Sequence, residues 1–192
     1  NKMNFEDLIF NIEAYKKHGQ IINAAKFVVR EFGLMHDNLE GFGYREELDP
    51  KSILLTANGN VSEKVTVLIP KNLFDFEFNL VVNMLAHEML HVQQKSSEVM
   101  MDDKNEREWQ AYYEMLFHEV YPQVPDVSDF HKKFFANKAS YEGKAIVITD
   151  AGISPKVNGK YYLNNAGDSV YFYSSNVSSY ARLSLITKEP VS

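Results

Sequence analysis

Residues 72–95 carry apolar side chains every three to four positions, a spacing that predicts one long helix packed against a core. In its second half stands the pentad His87-Glu88-Met89-Leu90-His91. Because an α-helix turns once in about 3.6 residues, the two histidines project from the same helix face. Two imidazoles held one turn apart form a chelating pair, so this segment predicts a metal site on a buried helix.

The chemistry of such a site follows from the reach of its side chains. Two neutral imidazoles at positions i and i+4 contact one Zn²⁺ at about 2.0 to 2.1 Å, and Glu88 leans toward the open coordination position. There Glu88 can take a proton from a zinc-bound water, whose pKa the metal lowers to about 7. The alternative is a pair of core histidines that arose by coincidence. The central place of the pentad in a periodic helix favours the metal site.

A catalytic zinc takes three protein ligands and keeps one position for water, so a third ligand is needed. The chain has no cysteine, which leaves His, Asp or Glu. Glu106 and Glu108 stand at the start of the next predicted helix, residues 106–120, and either can point back at the first helix. Their alternative role is to stabilise the helix N-terminus. Further ligand candidates are the loop residues Glu98, Asp102 and Asp103.

The pairing of HExxH with a later Glu-x-x-Ala sequence, Glu108-Trp109-Gln110-Ala111, resembles the gluzincin zinc metallopeptidases over about residues 72–120. This resemblance implies one Zn²⁺ per chain, Glu108 as third ligand and a peptide or protein substrate. Glu106, preceded by Asn105, matches another variant of the family and is the alternative third ligand. The family often has an Asp four residues after the ligand glutamate, whereas this chain has Tyr112 there.

A peptidase also needs a donor for the transition-state oxyanion besides the metal. We place Tyr112 in the catalytic set, and the other available side chains are Tyr113, His118 and His131. The resemblance further implies that strand 64–69, which precedes the active-site helix, binds an extended substrate by edge pairing. A plain structural strand is the alternative. Asn83 and Gln94 lie one turn from motif residues. They are candidates for outer contacts, which are hydrogen bonds to the side chains that bind the metal.

The remaining patterns predict an α+β fold of zincin-like type. N-terminal helices over 4–32 break near Gly19, and glycines then predict an irregular loop to Pro50. Strands 52–57 and 64–69 flank Asn58-Gly59, a hairpin turn signal, and pack with the helices on the active-site helix. A short helix is expected at 128–139. A β-rich tail, residues 144–192, follows a domain of residues 1–143 and is either an extension or part of the same domain.

Composition narrows the classes of partner. A net charge of -6 without a basic, aromatic-rich face argues against nucleic acid, and no apolar run is long enough to span a bilayer. The composition does not indicate a cellular compartment. A start at Asn1 rather than Met is compatible with a removed signal or pro-segment.

The sequence is compatible with three functions. The first is a zinc-dependent peptidase with Glu88 as general base. The second is a non-catalytic binding or structural component of a larger assembly on a peptidase scaffold, with a protein partner contacting the Tyr- and Ser-rich tail. The third is a zinc hydrolase that cleaves an amide other than a protein backbone.

Overall fold

The computed structural model describes residues 3–47, 52–132 and 134–135, which fall into two compact units. Of the described residues, the first unit contains 3–47, 52–102 and 121–125, and the second contains 103–120, 126–132 and 134–135. In the described part the fold is α+β, as predicted, with α-helices and a three-stranded sheet. The predicted β-rich tail, residues 144–192, and its boundary with the domain of residues 1–143 lie outside the described residues.

Two helices open the first unit, α1 (Phe5–Lys17) and α2 (Ile21–Glu31), and the predicted break falls at Gly19. The side chain of Asn4 accepts a hydrogen bond from the Asp7 amide at 2.8 Å and so caps α1. α2 contributes a buried apolar face, and it contacts α1, the first strand and the third helix. The helical opening inferred from apolar periodicity is therefore confirmed.

The sheet has the order β1-β3-β2, with β1 at Leu39–Arg45, β2 at Thr56–Asn58 and β3 at Val65–Pro70. β1 is parallel to β3, which shows that the predicted loop from Gly33 to Pro50 was wrong in part. Gly43 in β1 marks close packing rather than a turn, since a Cβ on it would stand 3.0 Å from Cδ2 of Leu68.

β2 and β3 are antiparallel, as predicted, but the tight turn at Asn58-Gly59 was wrong. Asn58 belongs to β2 and pairs with Thr66, and residues 59–64 form the connection. Gly59 has a φ of +154°, and a Cβ there would lie 2.8 Å from the Lys64 carbonyl oxygen. This glycine is required for the close approach of two backbone segments.

β3 lies at the centre of the sheet and has main-chain partners on both sides over residues 66–68. The expectation that this strand offers its edge to a substrate is therefore wrong for these residues. Its side chains alternate in burial, and Val65, Val67 and Ile69 are fully buried. The central strand thus supports the core beneath the helix that follows.

That helix is α3 (Phe78–Gln94), preceded by a 3₁₀ turn at Leu73–Asp75 where the continuous helix from residue 72 was expected. α3 contacts α2, β2 and β3, and thirteen of its seventeen residues are buried. The helix matches the predicted periodic segment from residue 78 onward. None of the helices among the described residues is long and apolar enough to cross a membrane.

The C-terminal end of α3 is tied to the sheet by polar contacts. The Asn38 side-chain amide donates to the Val92 carbonyl at 3.0 Å. The Lys95 ammonium donates to the Gly59 carbonyl at 2.8 Å, and the Lys95 carbonyl accepts from the Ser62 amide at the same distance. These bonds satisfy carbonyls at the helix end and fix the last turn of α3 on the β2–β3 connection.

The second unit begins with α4 (Lys104–Phe117), close to the predicted 106–120 helix. Along it the rings of Trp109, Tyr113 and Phe117 follow one another, with centroids 5.1 and 4.6 Å apart. Residues 129–132 and 134–135 are also helical, and the Ser128 hydroxyl accepts from the His131 amide at 3.2 Å. The rest of the helix expected at 128–139 lies outside the described residues.

Candidate metal centre

The HExxH residues lie in the well-packed second half of α3. His87, Glu88 and His91 are 5, 6 and 5% exposed. Burying a carboxyl group and two imidazoles costs free energy unless each finds a polar partner or a metal ion. The burial of all three on one helix therefore marks this turn as the chemically distinctive part of the first unit.

The two imidazoles face each other across one turn of the helix. His87 Nε2 and His91 Nε2 are 3.1 Å apart, and the ring centroids are 4.8 Å apart with an interplanar angle of 83°. At this distance one ring donates its Nε2 proton to the lone pair of the other. Both Nε2 atoms thus converge on one point, as predicted from the i, i+4 spacing.

Gln94 contacts the second histidine of this pair. Its side-chain oxygen lies 2.8 Å from His91 Nδ1, and Gln94 is 2% exposed. An amide oxygen only accepts, so His91 carries its proton on Nδ1 and keeps a lone pair on Nε2. Sequence spacing raised Gln94 as a candidate without selecting it, because spacing does not determine which way a side chain turns.

Asn83, the other candidate for an outer contact, has a different role in the geometry. Its side-chain amide donates to the carbonyls of Asn79 and Pro125, each at 2.8 Å. The bond to Pro125 attaches the segment of residues 121–125 to α3 within the first unit, and the bond to Asn79 lies within α3. A role for Asn83 beside the metal-binding residues stays a prediction.

The two candidate third ligands occupy the first turns of α4, and both are half-buried. His87 and His91 lie in α3 of the first unit and Glu108 lies in α4 of the second, so the role of Glu108 as third ligand stays a prediction. The Glu106 amide donates a hydrogen bond to the Asp103 carboxylate at 3.3 Å. Burial, and then the charge of Asp103, raise the pKa of the Glu106 carboxyl.

The loop carboxylates considered as further ligands, Glu98, Asp102 and Asp103, are exposed. Asp103 instead acts near the N-terminus of α4 through its bond to the Glu106 amide. Exposed charges at a helix start are ordinary surface features.

The tyrosines proposed as oxyanion donors both lie on α4. The ring of Tyr112 stacks against Phe135 at a centroid distance of 6.1 Å, and Tyr112 stands one turn after Glu108. The Tyr113 hydroxyl donates to the Glu119 carboxylate at 3.0 Å. The assignment of Tyr112 to the catalytic set stays a prediction.

The two histidines in that candidate set have polar partners within the second unit. His118 Nδ1 lies 3.4 Å from the Asp126 carboxylate, and burial, partly offset by Asp126, lowers the pKa of His118. His131 Nδ1 lies 3.0 Å from the Ser128 hydroxyl. Either histidine as an oxyanion donor stays a prediction.

One buried carboxylate was not singled out from the sequence. Glu114 on α4 is 3% exposed, and one of its oxygens accepts from the Val120 amide at 2.8 Å. The bond joins α4 to the backbone just beyond the helix end. No spacing or motif in the sequence distinguishes Glu114 from the other acidic residues of α4.

Comparison with known proteins adds no relative, since the chain matches no protein-family model, no curated protein and no solved structure.

Proposed function

We propose that the protein is a zinc-dependent peptidase in which His87, His91 and Glu108 hold one Zn²⁺ and Glu88 is the general base. The observation that carries this proposal is the convergence of two buried imidazoles, with Nε2 atoms 3.1 Å apart, beside a buried glutamate on one helix. Two imidazoles at this spacing with a carboxyl group on the same helix form a donor set that is suited to a metal.

The donor set fits zinc. Two nitrogen ligands of a tetrahedral ion with bonds of about 2.0 to 2.1 Å lie about 3.3 Å apart, close to the observed 3.1 Å. Neutral nitrogen donors and a carboxylate are ligands that zinc accepts. The proton on His91 Nδ1 leaves its Nε2 lone pair for the ion. His87 donates its Nε2 proton to His91 in the metal-free protein, so it must lose that proton from Nε2 before this atom can bind the ion.

Zinc in this position would polarise the scissile carbonyl and lower the pKa of a bound water to about 7. Glu88 follows His87 directly in α3, and its carboxylate would take the proton from the attacking water. The same carboxyl group would then return the proton to the leaving amine. His87 and His91 hold the geometry while Glu88 moves the proton.

The experiment that tests the proposal combines zinc stoichiometry with cleavage of a broad peptide library. We expect about one zinc per chain and cleavage that stops when a chelator removes the metal. One zinc without cleavage of any peptide would contradict the peptidase and favour the non-catalytic component. Cleavage only of amides outside a protein backbone would favour the other zinc hydrolase.

The third ligand is tested by comparing Glu108→Gln with Glu106→Gln. We expect Glu108→Gln to weaken zinc binding by about 100-fold or more, because loss of an outer partner alone costs about 10- to 100-fold. Glu106→Gln, two residues away on the same helix, is the matched control and is expected to keep zinc affinity within a few-fold. Zinc competition with a chelator of known affinity measures both. The reverse ranking would assign the ligand role to Glu106.

A further inference from the structure

Gln94 is the last residue of α3 and lies three positions after His91, so the two side chains share one side of the helix. Its amide oxygen is 2.8 Å from His91 Nδ1, and both residues are buried. From this contact we propose that Gln94 is a positioning residue of the metal centre, which fixes both the tautomer and the ring orientation of His91. The inference rests on the proposed function, which it deepens.

The direction of the hydrogen bond determines which ring nitrogen is available. An oxygen facing Nδ1 requires the proton there, and in a neutral imidazole the other nitrogen then has a free lone pair. That nitrogen is Nε2, the atom that lies 3.1 Å from His87 Nε2. If Gln94 presented no acceptor, the proton could occupy Nε2 and block the ligand atom. Gln94 thus selects the binding-competent form of His91.

Gln94 is itself held in place from two directions. Its backbone carbonyl accepts from the Met101 amide at 2.9 Å. The next residue, Lys95, donates from its ammonium to the Gly59 carbonyl at 2.8 Å and accepts from Ser62 at its own carbonyl. The end of α3 is therefore anchored to the β2–β3 connection. A residue that orients a metal ligand must itself be held in place, and these bonds hold Gln94 beside His91.

The test compares Gln94→Met, which keeps the length of the side chain but removes the acceptor, with Gln94→Glu, which restores one. We expect Gln94→Met to weaken zinc binding by about 10- to 100-fold and Gln94→Glu to keep it within a few-fold or tighten it. Gln93→Met is the matched control on the adjacent, half-buried position and should bind zinc as the wild type does. A chelator competition gives the affinities.

A second readout separates positioning from general support of the fold. In the zinc-free protein, long-range ¹H–¹⁵N spectra of the imidazoles should show the Nδ1–H tautomer for His91, and Gln94→Met should reduce its population. Unchanged zinc affinity and tautomer in Gln94→Met would overturn the inference while leaving the peptidase proposal intact. A wild-type protein that binds no zinc would instead contradict the proposed function, and the tautomer would still report whether Gln94 orients His91.

Discussion

Glu88→Gln is expected to leave zinc bound and to lower the rate of peptide cleavage by about 10²- to 10⁴-fold, the usual contribution of a general acid and base. Glutamine has nearly the same shape but cannot take a proton from water, so only the chemical step should be affected. Glu88 is 6% exposed within α3, and the substitution removes a buried ionisable group without leaving a cavity. Cleavage of the best library peptide and zinc content measure the two effects separately.

The control for this variant is Glu98→Gln, just beyond α3 on an exposed position. It makes the same replacement of a carboxyl group by an amide and changes the net charge by the same amount. Both cleavage and zinc content should match those of the wild type. Undiminished cleavage by Glu88→Gln with zinc still bound would contradict a general-base role for this residue. Loss of zinc in Glu88→Gln would instead assign Glu88 to the support of the metal.

The parts of the fold that follow from local sequence were predictable. The helices α1, α2 and α3 carry apolar residues at a helical period, and the i, i+4 spacing within α3 is sufficient to bring His87 and His91 together. The geometry of the histidine pair is set by the helix itself. It therefore needs no knowledge of the rest of the fold.

The parts that depend on distant residues were not predictable in the same way. β1 contains two glycines and forms because β3, more than twenty residues later, supplies its hydrogen-bond partners. Asn58-Gly59 resembles a turn, yet the glycine is used for close approach to Lys64. The choice between Glu108 and Glu106 also depends on distant residues. The two glutamates differ in the direction in which their side chains leave α4, and the sequence of the helix alone does not determine which direction leads to the metal.

Loss of the histidine pair is expected to have the largest effect on metal binding. His87→Ala and His91→Ala should each weaken zinc binding by well over 100-fold, more than the about 10- to 100-fold expected for removal of an outer partner such as Gln94. Alanine favours the helix, so α3 should still form. The double variant should bind zinc hardly less than either single variant, because one substitution already breaks the chelate.

Thermal unfolding with and without zinc measures this effect independently of cleavage. A zinc concentration of 100 times the dissociation constant should stabilise the wild type by about 2.7 kcal/mol, whereas the histidine variants should unfold at the same temperature with or without zinc. His18→Ala, an exposed position at the end of α1, is the control and should keep the full zinc-dependent rise. An equal rise in His91→Ala would mean that zinc binds elsewhere, and the buried imidazoles would then be core residues.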